Sequence, residues 1–279
     1  MRYRLLRWAE LDPDGFLAQV LVPDQPVLST MGGLCAVILA TVWARRDGLV
    51  WWKALLTGGA CALVGALLGR VGWLLVDVEW SRIAENPYLI IDPYRGGAIS
   101  FGALVGAVIG AFGALKILSA DPWKYADVLA PPGLVGIAFA RVGCIMRACC
   151  YGSPTDAPWG IRYPIESNVF RRHYELGLVD RTSELSLAVH PFALYLAAWG
   201  VACFLAAWFA PRMFGSFPGA RALGIGIVWL TGRLVFEFLR HPGNAPMVVG
   251  PINTGQLFAI ISITAMTALF VWRRRVAAD

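Results

Sequence analysis

The sequence predicts an all-α integral membrane protein with seven transmembrane helices and a small extracytoplasmic head. Three observations predict it. Of the 279 residues, 58% are hydrophobic and only 15% are charged, a balance far from that of a soluble domain. The apolar residues gather into about seven segments of near-spanning length. Basic residues recur on alternate connections between those segments, the pattern that sets membrane orientation. Residues 1–279 are therefore read as a single polytopic membrane domain.

Residues 1–26 begin MRYRLLRW and lack both a continuous apolar stretch and a small-residue cleavage site, so they read as an interfacial segment rather than a removable signal peptide. The spans fall near 27–44, 52–77, 95–118, 127–147, 191–211, 221–239 and 252–272. In the third, Gly102, Gly106 and Gly110 form a small-residue stripe at four-residue spacing, which lets a neighbouring helix approach closely. Residues 148–190 form the long connection and are read as the head. Arg45, Arg46 and Lys53, then Lys124, then Arg212 and Arg221, then Arg273, Arg274 and Arg275 mark the cytoplasmic side. That puts the N-terminus and the head outside, against the weight of Arg2, Arg4 and Arg7 and of the head's own Arg162, Arg171, Arg172 and Arg181.

Arg70, Arg141 and Arg233 stand inside otherwise apolar spans. A guanidinium stays charged, and near mid-membrane it costs roughly 2.5–3.5 kcal/mol on insertion scales. Each could snorkel or pair locally. They precede the expected outer ends of their spans (77, 147 and 239) by seven, six and six residues, which at 1.5 Å per residue is about 9–10 Å. A shared depth favours a shared anionic partner, and a lipid phosphate is the natural one. Arg233, Glu237 and Arg240 fall at i, i+4 and i+7, within roughly 60° around a helix. Glu237 is expected to hold Arg233 while leaving part of its donor fork for phosphate.

Cys35, Cys61 and Cys203 lie in apolar spans and read as small hydrophobes. Cys144, Cys149 and Cys150 gather at the outer end of the fourth span, where a disulfide, an interaction site or a structural role all fit. Their spacing matches no common zinc pattern, and the chain has neither CxxC nor HExxH, so neither a metal nor a cofactor is expected. The net charge of +6 in so apolar a chain fits contact with anionic lipid, and no nucleic-acid partner is expected.

Several short motifs occur in order: Gly69-Arg70-Val71-Gly72-Trp73, Gly96-Gly97 with Gly102, Ala130-Pro131, Ala140-Arg141-Val142-Gly143-Cys144, Tyr151-Gly152, Pro154 to Gly160, His190-Pro191 with Leu194-Tyr195, Arg233 with Glu237 and Arg240, and Gly255-Gln256. Together they resemble the prolipoprotein diacylglyceryl transferases, in a Cys-Cys-Tyr-Gly version of the signature. The resemblance implies a seven-helix bacterial inner-membrane enzyme. Such an enzyme moves diacylglyceryl from phosphatidylglycerol to the lipobox cysteine of a preprolipoprotein and releases glycerol phosphate. It implies Arg141, Arg233, Glu237 and His190 as catalytic residues, and Arg141, Arg70, Gly152, Arg240 and Gln256 as substrate-binding ones. His190 is the motif-matching imidazole, and it reads either as a base or as a residue that orients the start of a helix. The chain departs from the family pattern at Met31 (for Tyr), Phe101 (for His), Cys144 (for Asn), and Ala193 and Leu196 after His190. A non-catalytic lipid-binding or lipid-moving protein that keeps the arginines is the other reading.

Overall fold

The computed structural model describes residues 24–77, 80–90, 99–180, 182–241, 247–249 and 252–278. The segment before residue 24, the Gly96-Gly97 pair and Arg181 lie outside them, as does the side chain of Phe101. Helix α1 (Gln25–Arg46) ends in a left-handed turn at Gly48, with φ 72. There the Leu49 N–H donates to Ala44 O at 2.7 Å and the Gly48 N–H to Arg45 O at 3.2 Å, satisfying carbonyls the helix leaves open. Helix α2 (Trp51–Asp77) follows, then the short α3 (Trp80–Glu85), a 3-10 turn at Pro87–Ile90, and α4 (Ser100–Ile117).

Helix α5 (Pro122–Arg147) starts earlier than the expected residue 127. Asp121 Oδ1 accepts the Trp123 N–H at 2.9 Å and the Lys124 N–H at 3.3 Å, and Pro122 occupies the first turn, where its missing N–H is harmless. The Ala130-Pro131 motif therefore lies well inside the helix. Pro131 and Pro132 lie inside the helix, tolerated because a bare backbone in lipid is costlier than a proline within a continuous helix.

The chain divides into two compact units. One is Gly33–Gly133; the other combines the described residues up to Gly32 with those from Leu134 onward. In the first unit α2 and α4 pack backbone to backbone. A Cβ on Gly102, Gly106 or Gly110 would run into the carbonyls of Leu68, Val64 and Ala60 respectively, so the glycine stripe is a packing surface. Lys53 Nζ donates to Leu118 O at 2.7 Å and Tyr125 Oη to Val50 O at 3.1 Å, tying the α1–α2 turn to the end of α4 and to α5.

In the second unit the connection that follows α5 contains α6 (Asn168–Glu175), whose first turn is capped by Ser167 Oγ accepting the Phe170 N–H at 3.1 Å. Tyr151, Tyr163, Val169 and Val189 form its core. Helix α7 (Phe192–Phe209), a 3-10 turn at Pro211–Phe214 and α8 (Ala220–Glu237) follow. Strands β1 (Met247–Val249) and β2 (Ile252–Asn253) pair antiparallel and lead into α9 (Thr254–Val276). Gly232 of α8 lies against the Trp199 indole of α7, and Gly226 against Met266 of α9. Arg273, Arg274 and Arg275 belong to the last turn of α9 rather than following it, since arginine is a good helix former and cations favour a helix C-terminus.

Among the described residues, five helices are long and apolar enough to cross a membrane: Gln25–Arg46, Trp51–Leu75, Pro122–Arg147, Phe192–Phe209 and Thr254–Val276. The apolar part of α4, Gly102–Ile117, is shorter, and α8 carries Arg221, Arg233 and Glu237. Leu63, Ile117, Phe209 and Phe238 hold most of their side chains outward, a surface suited to lipid. The chain is a mostly helical, multi-pass membrane protein.

Candidate functional site

Arg141 projects from the last third of α5, half-buried, and its Nη1 donates to Cys150 Sγ at 3.7 Å. The chain reaches that position because Ala148 adopts a left-handed φ of 55 just past the helix, turning back so that the Cys149 N–H donates to Cys144 O at 3.2 Å. The three thiols of Cys144, Cys149 and Cys150 lie within 4.8 Å of one another, and none of them forms a disulfide. Cys144 Sγ also accepts from Gln25 Nε2 at 3.6 Å. The hydrogen bonds from Cys144 and Cys149, together with the Arg141 and Arg240 guanidiniums, hold the Cys150 thiol well below its usual pKa, while the same contacts and burial push Cys149 up.

Arg233 is half-buried on α8 with its guanidinium 5.8 Å from the Trp229 ring centre. Arg141, Glu237, Arg240 and Cys150 all act on it electrostatically, so these groups occupy one neighbourhood. The buried Arg233 Nε has no hydrogen-bond partner among the described residues. Helix α8 ends at Glu237, two residues before the expected 239, which leaves Arg233 four residues from that end. Arg240 therefore lies beyond the helix and is not part of a continuous stripe. It folds back instead, and the ion pair of Glu237 is with Arg240 Nη1 at 2.7 Å rather than with Arg233. Arg240 also packs over the Phe192 ring, 5.5 Å from its centre.

Glu237 has a fully buried side chain. It faces the first turn of α9, where a Cβ on Gly255 would collide with its carboxylate. The positive end of a helix favours a carboxylate there. That end is fixed by a reciprocal cap: Gln256 N–H donates to Asn253 Oδ1 at 2.9 Å, and Asn253 N–H donates to Gln256 Oε1 at 3.0 Å. Gln256 Oε1 is thus committed to the cap.

Gly152 joins three segments. Its N–H donates to His190 O at 2.9 Å, the Ser153 N–H to Leu239 O at 2.9 Å, and the His190 N–H to Ser153 O at 3.0 Å. A Cβ on Gly152 would sit 2.6 Å from both His190 Cβ and Leu239 O. With its N–H already used, Gly152 serves the site by letting these backbones meet. The half-buried His190 ring contacts Tyr195 Oη through Nδ1 at 3.1 Å, and Tyr195 Oη in turn accepts from Trp159 Nε1 at 2.7 Å. Nε2 is left as the ring atom open to proton transfer. Arg70, on α2 in the other unit, has its guanidinium 4.6 Å from the Trp73 ring centre.

The family profile of Prolipoprotein diacylglyceryl transferase matches residues 26–272. The chain belongs to this family. Among curated relatives, each named phosphatidylglycerol–prolipoprotein diacylglyceryl transferase, the protein of Trichormus variabilis is 28% identical over 75% of this chain and 71% of its own length. That of Chloroflexus aggregans is 26% identical over 88% and 82%, and that of Mannheimia succiniciproducens 25% over 99% of both chains.

Several groups at this transferase-family site were not foreseen from sequence. Tyr195 belongs to the Leu194-Tyr195 motif and Trp159 to the Pro154 to Gly160 run, but only the fold reveals that they hold the His190 ring. Tyr151, His173 and His241 form an aromatic cluster with ring centres 5.4–6.2 Å apart, assembled from the head and from the chain just past α8. Burial lowers both histidines below the usual imidazole range, His173 further by the neighbouring His241 and His241 by Arg172. Burial raises Tyr151 and Tyr163.

Proposed function

We propose that the protein is a phosphatidylglycerol:prolipoprotein diacylglyceryl transferase of the bacterial inner membrane, acting on a preprolipoprotein signal peptide at its lipobox cysteine. The observation that carries this reading is the electrostatic proximity of Arg141 and Arg233, two half-buried guanidiniums of like charge in an apolar bundle. Two such cations repel, and a phosphodiester between them turns the repulsion into paired attraction. Arg141 and Arg233 bind the headgroup phosphate and stabilise it as it leaves. The acceptor sulfur attacks the glyceryl carbon attached to the phosphate. A C–S bond forms, the C–O bond breaks with its electron pair on the phosphate oxygen, and glycerol phosphate departs. His190 takes the thiol proton at Nε2, with Tyr195 fixing the ring through Nδ1. Glu237 orients Arg240, while Gly152 and Gln256 act by holding the backbones around the site. Arg70 is assigned to substrate binding on the strength of its motif.

The same reading includes seven spans in one polytopic domain, 1–279, with the N-terminus and the head at 148–190 outside. The recurrence of basic residues on alternate connections supports it. A reporter fused after Arg275 should be active only in the cytoplasm; activity restricted to the outside would overturn this topology. Purified protein in phosphatidylglycerol vesicles should convert a lipobox peptide, and R141K and R233K should not.

A further inference from the structure

We propose that Cys144, Cys149 and Cys150 form a binding site for a soft, monovalent d10 metal ion, with copper(I) as the ion it fits best. Nothing in the transfer reaction requires this site, and it rests on its own geometry. The three sulfurs lie within 4.8 Å of one another, and Cys149 Sγ and Cys150 Sγ are 4.0 Å apart. A metal at a bond length of about 2.3 Å in the plane of three thiolates requires sulfurs about 4.0 Å apart, the bond length multiplied by the square root of three. One edge already has that length, and no edge exceeds it by as much as an ångström. Cys144 is fixed on the last turns of α5, while Cys149 and Cys150 follow the left-handed Ala148 and can rotate onto it.

The number of donors selects the ion. Among the described residues no fourth His, Cys, Asp or Glu joins the group, whereas structural zinc is held by four ligands in a tetrahedron. Thiolates without nitrogen or oxygen donors suit copper(I). Charge selects it too. Binding through all three thiolates gives a complex with a charge of −3 + 1 = −2. Two guanidiniums face this position: Arg141 Nη1 donates to Cys150 Sγ at 3.7 Å, and Arg240 acts on the same sulfur. Arg233 interacts with Cys150 as well, and Arg240 is paired with Glu237, so three guanidiniums and one carboxylate sum to 3 − 1 = +2 and neutralise the dianion within a low-dielectric bundle, where an uncompensated one would be expelled. Burial of Cys144 shields the site from water.

The test uses full-length protein in detergent, reduced and anaerobic, titrated with copper(I) against a coloured copper(I) chelator of known affinity. One copper should bind per chain with thiolate-to-copper absorption in the ultraviolet. C144S, C149S and C150S should each weaken binding by roughly tenfold or more, whereas C61S and C203S should not. In wild-type protein, copper(I) should also protect Cys149 and Cys150, but not Cys35 or Cys61, from maleimide labelling mapped by mass spectrometry. This readout stands even where a serine variant fails to fold. Binding that survives in C149S/C150S, zinc(II) displacing copper(I) at equal concentration, or labelling of Cys149 and Cys150 unchanged by copper would each overturn the proposal. Failure of the transferase reading would leave these measurements untouched.

Discussion

Replacing Gly255 with alanine should damage catalysis out of proportion to its size. An added Cβ would lie 2.6 Å from Glu237 Cδ and 3.0 Å from Oε2, where ordinary contact begins at 3.4 Å. The carboxylate must therefore retreat by about 0.8 Å, the difference between 3.4 and 2.6 Å. That movement takes the 2.7 Å bond to Arg240 to the limit of a hydrogen bond, or else shifts the start of α9 and breaks the Asn253–Gln256 cap. Overpacking of this kind costs about 1–3 kcal/mol in stability. Misplacement of catalytic groups by about 1 Å can cost on the order of 10²-fold in rate, or about 2.7 kcal/mol of barrier. The assay is transfer of labelled diacylglyceryl from phosphatidylglycerol to a lipobox peptide, alongside thermal unfolding in detergent. G113A is the control, because an added Cβ there meets nothing within 4 Å. A G255A enzyme working within about twofold of wild type would refute the claim that Glu237 and Arg240 set the site geometry.

Arg141→Lys and Arg233→Lys should each largely abolish transfer with charge retained, because an ammonium lacks the planar fork that grips two phosphate oxygens; full activity in either variant would remove that arginine from the site. His190→Asn should approach the arginine effect if the imidazole is the base, with Tyr195→Phe giving a smaller loss read as a shifted pH–rate profile rather than a changed KM. His173 and His241 are held neutral by burial, so their folded pKa values lie below the unfolded value of about 6.5. Stability from them is present above that value and is lost as pH falls through the depressed folded values; thermal unfolding should show this, and H173F should flatten the acid side. Gly106→Ala should loosen α2 from α4 and lower the unfolding temperature, since its Cβ meets the Val64 carbonyl.

Apolar segment lengths placed the helices within a few residues, because a bilayer dictates length more strictly than a soluble core does. The errors came at ends governed by caps. Asp121-Pro122 starts α5 earlier than the apolar run indicates, and α8 stops at Glu237, which redirects the ion pair from Arg233 to Arg240. The neighbourhood of Arg141 and Arg233 could be anticipated because buried charge must converge on a partner. The hold of Tyr195 and Trp159 on His190 could not, since it joins residues 159, 190 and 195 through a fold that no local periodicity encodes. The thiol cluster was legible as spacing only; the left-handed turn at Ala148 brings it together.

Purified wild-type protein in phosphatidylglycerol vesicles should convert a lipobox peptide to its diacylglyceryl thioether, followed by the peptide's mass, with one glycerol phosphate released for each peptide modified. Protein that binds the lipid but leaves the peptide unmodified, under conditions where an authentic transferase modifies it, would contradict the account and identify the arginine site as one for lipid binding without chemistry.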